Sequence, residues 1–480
     1  MKRFLALSLI LLMFAGCIDD EPAPVDTDGD GVTDDVEVQR GTDPTVPDVP
    51  APMPAAMTFL DSDVGFRGPE PSVGITSSGC IFFTALEKVM RSCDGGKAWE
   101  QMSSPLMSPT SNDPWLWVDP ITDRIFDVQM GPLTHTWIAW SDDDGETWLG
   151  NPYDQGPTPV IDHIKLATGP WRGLEQGVGY GVIGSANPVY ETAVYFCYNK
   201  LAGVFCYTSF DGGATFPIGG QIIGLATTGA GLHGAITTAP DGTVYVPPRT
   251  ATPSVLMSKD NGLTWTRTDM GQDVGTPEPR KNSEVGTDSA SNAYHVWIGA
   301  DHGVYMSTST DSGLSWDETS TRISPEWITS STFPHIDAGD PGRVAVTYLG
   351  AEDFEGNPQI ADENAGAPVN ATYHLYLSYS LNALEADAEW TTIQISDDPV
   401  QIGSICLNSG ACSNGNRNLL DFNDLTIDLD GRIYIAYADG CMEACAEGDH
   451  SPENSRSARG KVAIQMTGPS MFEADDLQPI

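Results

Sequence analysis

Ionisable side chains recur at one kind of place in this chain, immediately ahead of a short apolar run. Glu70-Pro71-Ser72-Val73, Asp113-Pro114-Trp115, His233-Gly234, Glu284-Val285, His335-Ile336 and Asp424-Leu425 follow this pattern. Arg67 stands just before Glu70, and Arg417 and Asp421 just before Asp424. Carboxylates set beside one another or beside imidazoles can move protons, and an arginine can grip an anion with two parallel hydrogen bonds. If the fold gathers these entrances, Arg67, Glu70, Asp113, His233, Glu284, His335, Arg417, Asp421 and Asp424 form one ring of candidate catalytic residues. The plainer account of any single member is that it caps its strand or holds a water.

A second pattern lies nearer the N-terminus. Asp26-Thr27-Asp28-Gly29-Asp30-Gly31-Val32-Thr33-Asp34-Asp35-Val36-Glu37 has the spacing of an EF-hand calcium loop. Asp26, Asp28 and Asp30 would offer carboxylates and Val32 its carbonyl. Asp34 would act through water, Glu37 would bind with both oxygens, and Gly31 permits the sharp turn. The Gly41-Thr42-Asp43-Pro44 that follows resembles the ends of thrombospondin-type-3-like calcium repeats. Calcium here would stiffen a tether, since one loop without a partner helix pair is a poor sensor. The competing account is a solvated acidic linker. No organic cofactor is expected.

Composition narrows the partners. The formal net charge of −43 excludes a nucleic-acid groove and direct adhesion to anionic lipid headgroups. It also disfavours an anionic ligand unless basic residues gather locally. Lys2 and Arg3, the apolar run 4–14 and Ala15-Gly16-Cys17 form an export signal. The Cys after the small pair resembles the lipobox of prokaryotic lipoproteins, so Cys17 is expected to carry lipid as the only membrane contact; an incidental Cys after an ordinary signal is the alternative. The remaining eight cysteines fall into adjacent pairs, Cys80-Cys93, Cys197-Cys206, Cys406-Cys412 and Cys441-Cys445, expected as disulfides of an exported chain. The expected organisation is a signal peptide over 1–17, an acidic Pro-rich tether over 18–56, and a folded domain over 57–480.

That domain is repetitive. A motif Ser-x-Asp-x-Gly-x-Thr-Trp recurs at Ser92–Trp99, Ser141–Trp148, Ser209–Phe216, Ser258–Trp265 and Ser309–Trp316. Asp and Gly hold their places in all five copies, roughly fifty to seventy residues apart, which marks a fold built from one repeated unit. The motif is the Asp-box, and the chain resembles the Asp-box (BNR) β-propellers, whose best-known members are sialidases. The resemblance implies an all-β propeller with four antiparallel strands per blade. Opening strands near Glu70, Asp113, Val160, His233, Glu284, His335 and Asp424 predict seven blades, with six, the sialidase number, as the alternative. Unit six keeps a degenerate box at Ser380–Trp390. The strand 57–60 is expected to close the ring on the last blade. In the family the boxes lie on the face opposite the active site, so their Asp residues are expected to be structural.

A sialidase brings three arginines to the substrate carboxylate, an Asp acid/base, and a Tyr nucleophile paired with a Glu. Arg67-Gly68-Pro69 resembles the family's Arg-Ile-Pro with its middle residue changed, and no Tyr/Glu pair declares itself. Two function classes therefore stand together. One is a lipid-anchored, envelope-displayed propeller that binds and hydrolyses surface or environmental glycans as an exo-sialidase-like glycoside hydrolase. The other is a non-catalytic propeller, monomeric, that binds glycan, glycoprotein or protein in adhesion or assembly. The enzyme predicts a close acid/base pair in the ring; Glu70, Asp113 and Asp424 far apart and each bonded to backbone would exclude it. The glycan binder predicts exposed Trp115 or Trp171, and the scaffold a broad apolar patch.

Overall fold

The structure is a computed structural model that describes residues 45, 56–102, 112–131, 135–153, 161–172, 188–200, 203–224, 232–276, 283–355, 371–407, 417–447 and 458–473. The chain separates into two units, Met1–Pro54 and Ala55–Ile480. The calcium loop 26–37 and Cys17 lie outside the described residues. No α-helix occurs among the described residues, and none is long and apolar enough to cross a membrane.

Short strands separated by tight turns pair into seven antiparallel sheets, each with a path of four strands. Blade 1 runs from Ser72 to Met102, blade 2 from Asn112 to Tyr153, blade 3 from Ile161 to Gly224 and blade 4 from Thr237 to Asp269. Blade 5 runs from Glu284 to Arg322 and blade 6 from Ser330 to Gln394, with Gln401–Ile402 as an extra pairing. Blade 7 takes Asp424–Ile427, Ile433–Asp439 and Arg459–Thr467 from the C-terminus and its outermost strand, Thr58–Arg67, from the N-terminus. The innermost strand of each blade contacts that of the next, and blade 7 returns to blade 1. The fold is a seven-bladed β-propeller, and the six-blade alternative is set aside.

Burial follows from this stacking. A second strand has a neighbouring blade on both faces, so Ile125–Gly131 and Val344–Ala351 are buried at every residue. Outer strands such as Glu100–Met102 and Thr391–Gln394 alternate or face solvent.

The five recurring turns share one hydrogen-bond scheme. In blade 2, Ser141 Oγ donates to Asp143 Oδ1 (2.8 Å) and accepts from Gly145 N (2.9 Å). Asp143 then accepts both N–H (2.8 Å) and O–H (2.6 Å) of Thr147. Asp211, Asp260 and Asp311 do the same with Thr215, Thr264 and Ser315, while Asp94, facing Ala98 with no hydroxyl, accepts the backbone N–H groups of Lys97 and Ala98, so these carboxylates are consumed locally. Cys80–Cys93, Cys197–Cys206 and Cys441–Cys445 are disulfide-bonded. Cys406 is also disulfide-bonded, while its expected partner Cys412 lies outside the described residues.

Candidate functional site at the propeller mouth

Aligning the blades on the apolar residue that opens each inner strand, Val73, Leu116, Leu166, Ile236, Val285, Ile336 and Leu425, puts the ionisable entrances in one circle. There they bind backbone across blade boundaries. Glu70 Oε2 accepts the N–H of Asp113 (3.0 Å), and Asp113 Oδ2 accepts that of His163 (3.0 Å). Glu284 Oε2 accepts the N–H of Ala235 (2.6 Å), and Asp424 Oδ2 that of Val73 (2.9 Å). His335 Nδ1 accepts from Leu425 N (3.0 Å), which leaves its Nε2–H directed at Asp424 Oδ1, 3.3 Å away. His233 Nδ1 lies 2.6 Å from Gly234 O, and its buried Nε2 has no partner. Several entrances are conformationally costly. Glu70, Asp113, His163 and Phe333 have φ of 54°, 48°, 47° and 53°, the left-handed region that side chains disfavour.

Blades 1, 2, 3 and 7 supply a tighter cluster. Glu70, Asp113 and Asp421 each place a carboxylate oxygen within 4.8 Å of the others. Asp162 hydrogen-bonds to Asp113 as well. Arg417 grips Asp421 with two bonds, Nη1–Oδ1 2.5 Å and Nη2–Oδ2 2.7 Å. Burial, together with repulsion from Asp113 and Asp421, pushes the Glu70 carboxyl well above its ordinary range. Asp113 goes the other way. Burial opposes its ionisation, but the hydrogen bond from Asp162, the His163 ring and the bonds from Glu70 and the His163 N–H hold it well below. Asp162 is raised, by burial and by Asp113. The two neighbouring carboxyls are thus pushed in opposite directions, as acid/base chemistry requires. Three carboxylate oxygens at this spacing could also share one cation, although Arg417 already brings positive charge to Asp421.

Lys165 lies within the fields of Glu284, Asp113, Asp424 and Glu70. Its Nζ lies 3.7 Å from the centroid of Trp115 and 3.4 Å from that of Phe422, and makes no hydrogen bond among the described residues. Burial lowers it to about 8, against the fields of Glu284, Asp113, Asp424 and Glu70. Burial likewise raises Glu284 to about 8 and Asp424 to about 7, and lowers His233 and His335 to about 3.

The structure therefore brings Glu70, Asp113, His233, Glu284, His335, Arg417, Asp421 and Asp424 to the mouth. Arg67 is placed elsewhere, exposed at the end of the outermost strand of blade 7 and in register with Arg459. The excluding geometry for an enzyme is met only in part: all three carboxylates bind backbone, but Glu70 and Asp113 are adjacent. Trp115 and Trp171, expected to be exposed on a glycan-binding face, are instead 3% and 6% exposed, their indole N–H groups donated to Leu166 O and Tyr190 O. Asp162, His163 and Lys165 escaped the reading of the sequence. Their signal was positional, as Lys165 precedes Leu166 just as Glu284 precedes Val285 and Asp424 precedes Leu425.

The family model for the bacterial TSP3 repeat matches residues 26–47. No curated protein matches the chain. Among solved structures, a protein of unknown function from Dyadobacter fermentans is 13% identical, covering 87% of this chain and 100% of its own, with a TM-score of 0.40. The intramolecular trans-sialidase from Ruminococcus gnavus is 12% identical, covering 90% and 100%, at 0.38. The Aleuria aurantia lectin, solved with α-methyl-L-fucoside, is 11% identical, covering 74% and 100%, at 0.37. At such scores these likenesses carry nothing about ligand or chemistry.

Proposed function

We propose that this protein is an envelope-displayed propeller that binds glycans at the mouth of its ring, held to the membrane by lipid on Cys17 and carried on a calcium-stiffened tether. The observation that carries the reading is the Glu70–Asp113–Asp421 cluster beside Arg417, drawn from the entrances of different blades. Buried, strained, convergent ionisable groups at a ring mouth are what a ligand site is built from. Asp421 and Arg417 are its most open members, with side chains 16% and 23% exposed, so a ligand meets them first. Carboxylates outnumber the one arginine, which favours the hydroxyls of neutral sugars over the carboxylate of a sialoside.

A second reading, glycoside hydrolysis, has one observation in its favour, the opposed shifts of Glu70 and Asp113. Glu70 would donate the proton and Asp113 stay ionised.

The test is a panel of neutral glycosides and sialosides, scored for binding and for release of a fluorogenic aglycone. Asp421→Asn is expected to weaken neutral-sugar binding about tenfold or more, the worth of one hydrogen bond to a charged group. If turnover occurs, Glu70→Gln should abolish it and spare binding, while Arg67→Ala changes neither. Binding that ignores Asp421→Asn, or turnover lost with Arg67→Ala, would move the site away from this cluster.

A further inference from the structure

The boxes differ in how they hold their tryptophan. In blades 2, 4 and 5 the box tryptophan donates its indole N–H to the carbonyl of the box glycine: Trp148 to Gly145 (2.8 Å), Trp265 to Gly262 (3.1 Å) and Trp316 to Gly313 (3.2 Å). In blade 1 Trp99 donates to Ser62 Oγ at 2.8 Å. Blade 6 keeps Ser380 and Trp390 but lengthens the turn between them and loses the glycine. Asn382 stands in for the Asp and accepts the N–H of Glu389 at 2.9 Å. Among the described residues the indole N–H of Trp390, like that of Trp297 in blade 5, is buried with no acceptor. An unpaired buried donor costs about 1–3 kcal/mol. Local rules broken at one copy of a repeat, without repair, point to a copy kept for another purpose.

At that place the surface opens into a groove of about 580 Å³ between blades 5 and 6. The lengthened turn forms one wall, with Leu384, Glu385 and Trp390. Met306, Asp317 and Glu318 belong to the other, and no Lys, Arg or His among the described residues lines the groove. Asp317 and Glu318 are exposed. Among the described residues, three of the eight most exposed large apolar side chains (Leu314, Leu381 and Leu384) belong to these two blades and Trp327 to the connection between them, and of these Leu384 lines the groove. The groove thus mixes the apolar Met306, Leu384 and Trp390 with a row of threonine hydroxyls and a carboxylate rim, in the size range of small-ligand pockets.

We propose that this groove docks an extended basic peptide segment of a partner protein. Lysine or arginine stems would lie along Met306, Leu384 and the Trp390 ring, and their charges would meet Asp317, Glu318 and Glu385. The sign of the rim excludes acidic peptides, nucleic acid and anionic glycans, and the −43 net charge draws cationic partners in. The site is separate from the propeller mouth and does not rest on glycan binding there.

The test uses the intact protein and a fluorescein-labelled peptide of alternating lysine and glycine, read by anisotropy at physiological ionic strength. The triple variant Asp317→Asn, Glu318→Gln, Glu385→Gln is compared with Glu87→Gln, Glu191→Gln, Glu447→Gln, which makes the same change in net charge outside the groove. The groove triple should weaken binding about tenfold, the sum expected of three exposed ion pairs. The control should stay within about twofold, and unaltered thermal melting in both would show that folding is intact. Equal weakening by both triples would reduce the effect to the overall field and overturn the proposal. So would absence of peptide binding by the unaltered protein. Occupation of the groove by a neutral oligosaccharide that the peptide cannot displace would assign it to glycans instead.

Discussion

Each box glycine answers to two demands at once. Gly213 has φ 92°, and a Cβ there would lie 2.9 Å from Phe126 of the preceding blade. Gly145 meets Phe82 in the same way, at 3.0 Å, and Gly313 meets Tyr245 at 2.7 Å. The turn needs the left-handed backbone, and the seam between blades needs the missing methyl. Gly213→Ala should therefore cost about 2–4 kcal/mol, from strain plus overpacking, read as a lowered denaturation midpoint. A loss below about 0.5 kcal/mol would mean that the seam simply opens. That glycine was legible because its motif repeats five times. The mouth was legible only where an ionisable residue directly preceded a short apolar run. Blades 2, 3 and 6 share a bulge near the start of the inner strand, but in blade 3 the apolar pair Val160-Ile161 offers an earlier apparent opening, so Asp162, His163 and Lys165 read as strand interior rather than as an entrance. Arg67 failed for a related reason. Its resemblance to a sialidase motif was local, whereas its position is set by pairing with a strand nearly four hundred residues away.

At the scale of elements, the ring is closed by a strand borrowed from the other end of the chain. Thr58–Arg67 pairs with Arg459–Thr467, Asp61 and Asp63 binding Lys461 (2.6 Å) and Arg459 (2.8 Å) across the join. Exposed ion pairs of this sort are worth little, so closure rests on the ladder and on Val64 and Leu60 packed beside Phe83 and Ile464. Deleting residues 58–67 would leave blade 7 with three strands and a bare edge on Arg459–Thr467. Such an edge recruits other strands. The shortened protein should melt lower and elute as a mixture of oligomers in light-scattering chromatography; a monomer of unchanged stability would show that closure is dispensable. The closing strand and six of the seven second strands were visible in the sequence, because apolar runs there follow tight turns such as Asp241-Gly242 and Pro341-Gly342. The second strand of blade 3, Thr192–Lys200, was not, since a long connection rather than a turn leads into it from Pro170.

For the whole molecule, the buried polar centre sets how stability depends on pH. Glu284 is raised to about 8, and Asp424, Asp127 and Asp337 to about 7, each by burial. The folded protein holds these protons where the unfolded chain, with ordinary carboxyls near 4, has lost them. Their contribution is full below the unfolded value and is lost as pH rises through 7 and 8. His233, His295 and His335, lowered to about 3 by burial, act oppositely, but their effect is complete once the unfolded histidines have lost their protons near 6.5. Asp311, held at about 2 by its turn despite some desolvation, matters only in acid. Lys165, lowered to about 8, favours folding with rising pH only above that value. Between pH 6.5 and 8 the carboxyls act alone, so the melting temperature should fall across that window. High salt separates this from repulsion within a chain of net charge −43, because screening reaches the surface charges and not the buried ones. Melting curves at molar salt should still show the fall, and Glu284→Gln, which carries no titrating proton, should make it shallower. A melting temperature that is flat from pH 6.5 to 8 in salt would mean that water enters the mouth and relieves the burial, leaving a wetter and more open site than the packing around Lys165 implies.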